Sequence, residues 1–278
     1  MNENSILQID VDKILRTKAP DKYRYIPRFV VNYLKRIVHQ DALNGFILSA
    51  QHLKGVDYLH AILKFVDAKI EVQGIENLPN GEAPCIFVCN HPLGAIDGVG
   101  VGAFLGDHYK GKIRYMVNDL LMNVPGLAPL CIPINKTGGQ SRKLPQQIAE
   151  GLSGGDHLIM FPAGICSRRE KGLVRDVAWG KQFIVQSVRM HRDVVPMHFS
   201  GCNSNFFYRL ANLRTALGIK LNIEMMYLAD EMFKNAHKTF TLTIGKPIPW
   251  ETFDSSKRPR EWSQYVREIV YKLEPTKQ

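Results

Sequence analysis

Residues 84–98 read PCIFVCNHPLGAIDG: an apolar run, then a turn that carries a histidine and an aspartate. The run bounded by Pro84 and His91 reads as a buried strand. Pro92 and Gly94 shape a tight turn, and residues 95–105, AIDGVGVGAFL, keep a helical pattern despite their glycines. Strand, polar turn and helix in succession make the repeating unit of an α/β sheet, whose ligands sit in loops beyond the strand ends. A turn that folds Asp97 back onto His91 lets the carboxylate accept the Nδ1 proton, fixes the tautomer and leaves Nε2 free as a base. A histidine at a helix cap beside a solvated aspartate fits the same letters, and the pattern alone does not separate the two.

KIEVQGIENL (69–78) reads as a strand and turn, and IRYMVN, LCIPIN, DHLIMFPAG, VVPMHFSG, LNIEMMYL and KTFTLTIGKPI as further strands with helices between several of them. RPREWSQYVREIVYKL closes the chain as an amphipathic helix with the stripe Trp262, Tyr265, Val266, Ile269, Val270 and Leu273. The expected fold class is α/β: a mixed, mostly parallel sheet flanked by helices, its last strands antiparallel. Ahead of the first strand, Asp10 or Asp12 is expected to cap a short helix through Leu15, and TKAPDKYRYIP reads as a loop. Ile26, Phe29, Val30, Tyr33, Leu34, Ile37 and Val38 then repeat on one helical face, with Arg28, Asn32, Lys35, Arg36 and His39 on the other. That basic amphipathic helix either packs on the core or lies in a membrane interface with its cations toward anionic headgroups. GFILSAQHLKGVDYLHAILKFV follows as a second helix. The expected division is an N-terminal helical, membrane-interface module over 1–68 and an α/β domain over 69–278.

At 278 residues, 45% hydrophobic and 22% charged, the chain is globular and long enough for one substantial core. It holds no apolar run of membrane-spanning length, and its acidic, polar start is unlike a cleaved signal peptide. The five cysteines, Cys85, Cys89, Cys131, Cys166 and Cys202, are odd in number and form no C-x-x-C pair, which argues against a disulfide framework and a zinc site and fits a reducing cytoplasm. The net charge of +10 asks for nucleic acid, an anionic membrane surface or acidic substrates. With no zinc finger and no basic arm of interleaved aromatics, nucleic acid is not the expected partner.

Three more strand ends carry polar groups. CIPINKTGGQSR places Asn135 and Lys136 after a strand, and FPAGICSRR places Phe161, Pro162, Gly164, Ser167, Arg168 and Arg169 after another. Backbone N–H groups in such a loop hold anions and an arginine clamps them; a structural turn, or Cys166 as a nucleophile, are the competing readings. VPMHFSG adds His198, which reads as a strand residue.

In order, the strand-end N-H-P-x-G-x-x-D (90–97), I-N-K (134–136), F-P-x-G (161–164) and V-P-x-x-x-x-G (195–201) resemble the four sequence blocks of the lysophospholipid acyltransferase superfamily, and IGKPIP (244–249) is similar to its closing strand. The spacing departs from the common pattern, with five residues rather than four between His91 and Asp97. Ala163 stands where the third block usually has glutamate and Cys166 where it has arginine, although Gly164 and Ser167 are kept. These departures are similar to the hemolysin-like branch, which includes O-acyltransferases of lyso-ornithine and related amino-acid lipids. The resemblance implies His91 and Asp97 as the catalytic pair, and Asn90, Asn135, Lys136, Phe161, Pro162, Gly164, Ser167 and Arg168 as substrate-binding residues. It implies an acyl carrier protein or coenzyme A thioester as cosubstrate, a lyso-lipid such as a lyso-ornithine or lyso-glycine lipid as acceptor, no cofactor or metal, and a peripheral place on the cytoplasmic face of a membrane. A lysophosphatidate acyltransferase and a non-catalytic membrane-binding protein are the alternatives.

Overall fold

The computed structural model describes residues 8–18, 20–80, 83–118, 124–134, 151–152 and 155–275. Its centre is a seven-stranded sheet of order β1-β9-β8-β2-β5-β3-β4, with a separate two-stranded hairpin β6-β7. The strands are β1 Lys69–Gln73, β2 Ile86–Cys89, β3 Ile113–Asn118, β4 Cys131–Ile134, β5 His157–Met160, β6 Arg168–Glu170, β7 Leu173–Arg175, β8 Val194–Phe199 and β9 Thr239–Ile244. β8, β2, β5, β3 and β4 run parallel; β9 pairs antiparallel with β8, and β1 parallel with β9. The mixed, mostly parallel sheet expected from the sequence is therefore present, with β2 at its middle.

Side-chain alternation along the central strands builds two cores. Phe87, Cys89, Ile159, Val195, Met197 and Phe199 face one layer, which includes α5 (Val56–Phe65) and α6 (Ile96–His108). Ile86, Val88, Leu158 and Val194 face the other, with Phe183 of α7 (Gln182–Met190) and Trp262, Val266 and Val270 of α10 (Pro259–Lys272). Both faces of β2, β5 and β8 are buried, which explains their unbroken apolar runs. In α10 the buried stripe takes Ser263 and Tyr271 and leaves Tyr265 exposed, so it is rotated about the helix axis from the expected one.

The N-terminal part is α1 (Val11–Lys18), the single turn α2 (Pro20–Tyr23), α3 (Arg28–Ile37), α4 (Gln40–Ser49) and α5. Asp10 receives the Lys13 N–H at 3.0 Å and so caps α1. The expected loop before α3 thus contains a helical turn, and the expected second helix is two. The break falls at Gly55, at φ +63°, whose N–H reaches the Gly126 carbonyl. Leu59 and Val66, from the stretch assigned above to the N-terminal module, share a core with Val101 and Leu242. In α3 the buried positions are Val31 and Ile37, whereas Phe29 is 73% exposed. No helix of the described residues is long and apolar enough to cross a membrane. Further on lie α8 (Asn205–Ala216) and α9 (Leu228–Lys234). Between them, the segment expected as a strand is a 3₁₀ turn, Ile223–Tyr227. The reason is electrostatic: Glu224 is wholly buried against Arg168 and Arg214, which no outer strand position would allow.

Helix α6 approaches β3 closely enough for the Tyr115 hydroxyl to donate to the Gly98 carbonyl at 2.6 Å, one residue beyond Asp97. A Cβ on Gly102 would fall on that hydroxyl. Gly102→Ala is expected to push the ring aside and cost about 1–3 kcal/mol in urea unfolding. Tyr115→Phe, which loses only the hydrogen bond, is expected to cost about 1 kcal/mol. Equal stabilities for Gly102→Ala and wild type would show that the helix is not seated by this contact.

Candidate active site

The central strand β2 delivers Asn90 and His91 at its carboxyl end, where α/β sheets hold their ligands. Asn90, expected at the substrate, is 2% exposed. Its Nδ2 donates to the Phe199 carbonyl at 2.9 Å and its Oδ1 accepts the Phe199 N–H at 2.6 Å, so the amide ties the ends of β2 and β8 instead of facing a groove.

After His91 the chain turns at Gly94, at φ +81°, and re-enters as α6, with Asp97 in the first turn. Asp97 points back. Its Oδ2 accepts His91 Nδ1–H at 2.9 Å, the Leu93 N–H at 2.9 Å and the Gly94 N–H at 3.2 Å; its Oδ1 accepts the Gly98 N–H at 2.9 Å. Burial alone would raise the Asp97 carboxyl, but the charge and hydrogen bond of His91 and the peptide N–H groups hold it below its ordinary value. Burial likewise disfavours the imidazolium, yet Asp97 outweighs it and raises His91 above the usual imidazole value. The ionised carboxylate requires the proton on Nδ1. The ring rests 4.6 Å from that of Phe161 and its side chain keeps 19% exposure, with no hydrogen bond to Nε2 among the described residues. The arrangement is a carboxylate-oriented imidazole whose basic nitrogen faces outward.

A second carboxylate, which the sequence reading missed, holds the His91 backbone. Asp176 accepts the His91 N–H on both oxygens, at 3.2 and 3.3 Å, the Ser167 hydroxyl at 2.6 Å and the Trp179 indole N–H at 2.8 Å. The Ser167 N–H donates to the His91 carbonyl at 2.7 Å. Burial raises the Asp176 carboxyl, against the pull of these donors. From α10, Arg267 donates to the Asp176 carbonyl and Tyr271 accepts its N–H, both at 2.6 Å. Little in RDVAW marks this aspartate beforehand; apart from Trp179, its donors His91, Ser167 and Arg267 come from three other stretches of chain.

The loop that begins with Phe161 is therefore mostly supporting structure. Gly164, at φ +68°, donates its N–H to Phe161, and the Pro162 carbonyl accepts the Gly180 N–H. Ser167 is buried on Asp176. Arg168, expected to hold substrate, is turned inward: its Nη2 pairs with Glu224 at 2.8 Å and its Nη1 reaches the Cys166 carbonyl at 2.8 Å. Arg214 completes the pair on Glu224, again at 2.8 Å. Arg169 points to Asn205 and lies over the Tyr208 ring. Cys166 is fully buried and its thiol is pushed up to about 11 by burial, which removes it as a nucleophile. His198 is buried within β8 and lowered to about 4 by burial. Asn135 and Lys136 lie outside the described residues.

A sequence model of the family described as Acyltransferase matches residues 13–277. A protein of Phocaeicola vulgatus named lyso-glycine lipid O-acyltransferase is 61% identical over 274 residues, covering 98% of each chain. One of the same name from Bacteroides thetaiotaomicron is 61% identical over 273 residues, covering 98% of this chain and 100% of that one. Among solved structures, the 1-acyl-sn-glycerophosphate (LPA) acyltransferase PlsC of Thermotoga maritima shares the fold with a TM-score of 0.50 at 16% identity, covering 96% of this chain and 95% of that one. The resemblance drawn from the four blocks is borne out.

Arg168→Ala leaves the wholly buried Glu224 with Arg214 alone, and breaking a buried pair of this kind is expected to cost about 3–5 kcal/mol in urea unfolding. A variant of wild-type stability with a raised KM for the lipid acceptor would instead put Arg168 at the substrate.

Proposed function

The chain belongs to the acyltransferase family, and from that membership we propose that it moves a fatty acyl group from an acyl-thioester to the hydroxyl of a lyso-amino-acid lipid, of the lyso-glycine kind for which its 61%-identical relatives are named. The observation that carries the chemistry is the buried Asp97 carboxylate 2.9 Å from His91 Nδ1, with Nε2 left open. In the proposed step Nε2 takes the proton of the acceptor hydroxyl as its oxygen bonds to the thioester carbonyl carbon. The carbonyl π pair moves onto oxygen. Its return breaks the carbon–sulfur bond, and the imidazolium passes its proton to the departing thiolate. The products are the ester-bearing diacyl lipid and a free thiol.

An oxyanion of this kind is stabilised by fixed N–H donors, each typically worth about 2.7–4 kcal/mol. Those of Gly164 and Ser167 already serve the Phe161 and His91 carbonyls, so the donors in this loop fall to Ala163, Ile165 or Cys166. We propose an acyl carrier protein or coenzyme A thioester as donor, with no cofactor or metal in the step. The acceptor's chain is costly to expose, at about 0.8 kcal/mol per methylene, so the enzyme works at a membrane surface, peripherally and on the cytoplasmic face. The two exposed aromatics of α3, Phe29 and Tyr33, suit that contact, whereas Ile37 belongs to the core. A glycerophosphate acceptor is disfavoured by the inward turn of Arg168 and by Ala163 and Cys166 in the third block.

Lipid mass spectrometry of a host expressing the protein is expected to show a new diacylated amino-acid lipid, lost with His91→Ala and Asp97→Ala. New phosphatidic acid would reassign the acceptor, and product from His91→Ala would remove the mechanism. In purified enzyme, His91→Ala is expected to lower kcat/KM by about 10²–10⁴.

The pH profile follows from the raised His91. A protonated imidazole accepts nothing, so the rate falls as pH drops through a pKa above the ordinary ~6.5. Asp97→Asn removes the charge that raises it, and the acid limb is expected to move to lower pH while the maximal rate falls. An unmoved limb would show that another group titrates.

A further inference from the structure

Resting on the membrane reading above, we propose that the exposed ridge formed by α8 and the turn after it is a second bilayer-contacting element, which joins α3 at one seam and sets the His91 turn against an anionic lipid surface. Helix α8 buries Phe207, Tyr208 and Ala211 on one side. On the other, Phe206, Leu213 and Leu217 are spaced seven and four apart, a single helical stripe, and are 46%, 57% and 65% exposed. Leu221 extends the ridge at 72% exposure. Four exposed large apolar side chains along one ridge are unusual on a surface that meets only water.

Its charge names the occupant. Residues 205–223 contain Arg209, Arg214 and Lys220 and no carboxylate, as residues 22–39 contain five Lys and Arg and no carboxylate. Some of these cations are already engaged: Arg214 with Glu224, and Arg28 and Lys35 with Asp12. Arg36, Arg209 and Lys220 make no ion pair among the described residues. Aliphatic side chains with unpaired cations beside them match an acyl boundary under anionic headgroups.

The two elements form one face. The Tyr33 and Tyr227 hydroxyls meet at 2.8 Å, and the Phe206 ring lies edge-on to Tyr227 at 5.0 Å. A groove of about 480 Å³ runs along this seam, with Arg36 in one wall and Lys234 paired to Asp230 at 2.7 Å in the other. The same short segment reaches inward. Met225 touches Cys166, and Leu228 and Cys166 both crowd Gly94, three residues from His91. Chain that follows the ridge thus packs inside against the turn carrying the base.

The test is flotation of the full chain with phosphatidylcholine–phosphatidylglycerol vesicles and with phosphatidylcholine alone. Wild type is expected to float with the anionic vesicles. The triple variant Leu213→Ser/Leu217→Ser/Leu221→Ser is expected to keep its thermal melt, because all three residues are exposed, and to lose at least ~10-fold in vesicle partitioning. A triple variant that floats like wild type, while Phe29→Ser is released, overturns the ridge and keeps the membrane reading. Wild type that ignores both vesicles overturns both. Unchanged flotation with a wild-type dimer dispersed by the triple variant, seen in sedimentation, assigns the ridge to a second copy, and unchanged flotation with lost affinity for acyl carrier protein assigns it to that protein; either overturns the proposal.

Discussion

A carboxylate with no surface of its own must be surrounded by donors, because an ion left bare in the interior costs several kcal/mol. Asp97 meets that demand with one imidazole N–H and three peptide N–H groups, all supplied within eight residues of chain. The turn is wound around the carboxylate, and this accounts for its length. The five residues between His91 and Asp97 give room for Leu93 and Gly94 to aim their N–H groups at the same oxygen that holds Nδ1, provided that the chain takes φ +81° at Gly94. A larger residue there would meet both that backbone restriction and the side chains of Leu228 and Cys166.

Side chain and backbone of His91 answer to different carboxylates. Asp97 sets the ring, and Asp176 with Ser167 holds the peptide groups on either side of the Cα. Through Asp176 the position of the base is tied to Trp179 and to the closing helix α10, so a residue near the C-terminus bears on a turn far earlier in the chain. Asn90, one residue back, ties the strand ends across β2 and β8. The outward nitrogen is the one polar atom of His91 that no group of the described fold restrains.

What could be read from the amino acids followed from locality. β2, its turn and α6 are contiguous, and the pairing of His91 with Asp97 depends on a spacing that the letters display. Apolar runs identified the strands buried on both faces. The reading failed where a distant partner decides. Glu224 lies in a run that alternates like a strand, and only Arg168 and Arg214, brought by β6 and α8, make it a buried anchor in a 3₁₀ turn. Asp176 looks like any loop aspartate until His91, Ser167 and α10 surround it. Arg168 looked available because sequence does not show which way a side chain turns. In α3, periodicity found a helix but put Phe29 and Ile37 on one face, whereas Phe29 is exposed and Val31 and Ile37 are buried.

The Arg168–Glu224–Arg214 cluster also links electrostatics to location. Cys166 lets the loop after β5 pack against Met225 and Leu228. Arg168, next along, turns its charge inward to Glu224, which fastens the 3₁₀ turn to the loop. Next along, Met226 is exposed and the Tyr227 hydroxyl meets Tyr33 of α3. The ion pair that draws the Arg168 charge inward therefore also fastens the 3₁₀ turn to the loop whose Cys166 packs on Gly94 of the His91 turn. In this chain the inward charge ties a turn near the surface to the loop beside the base.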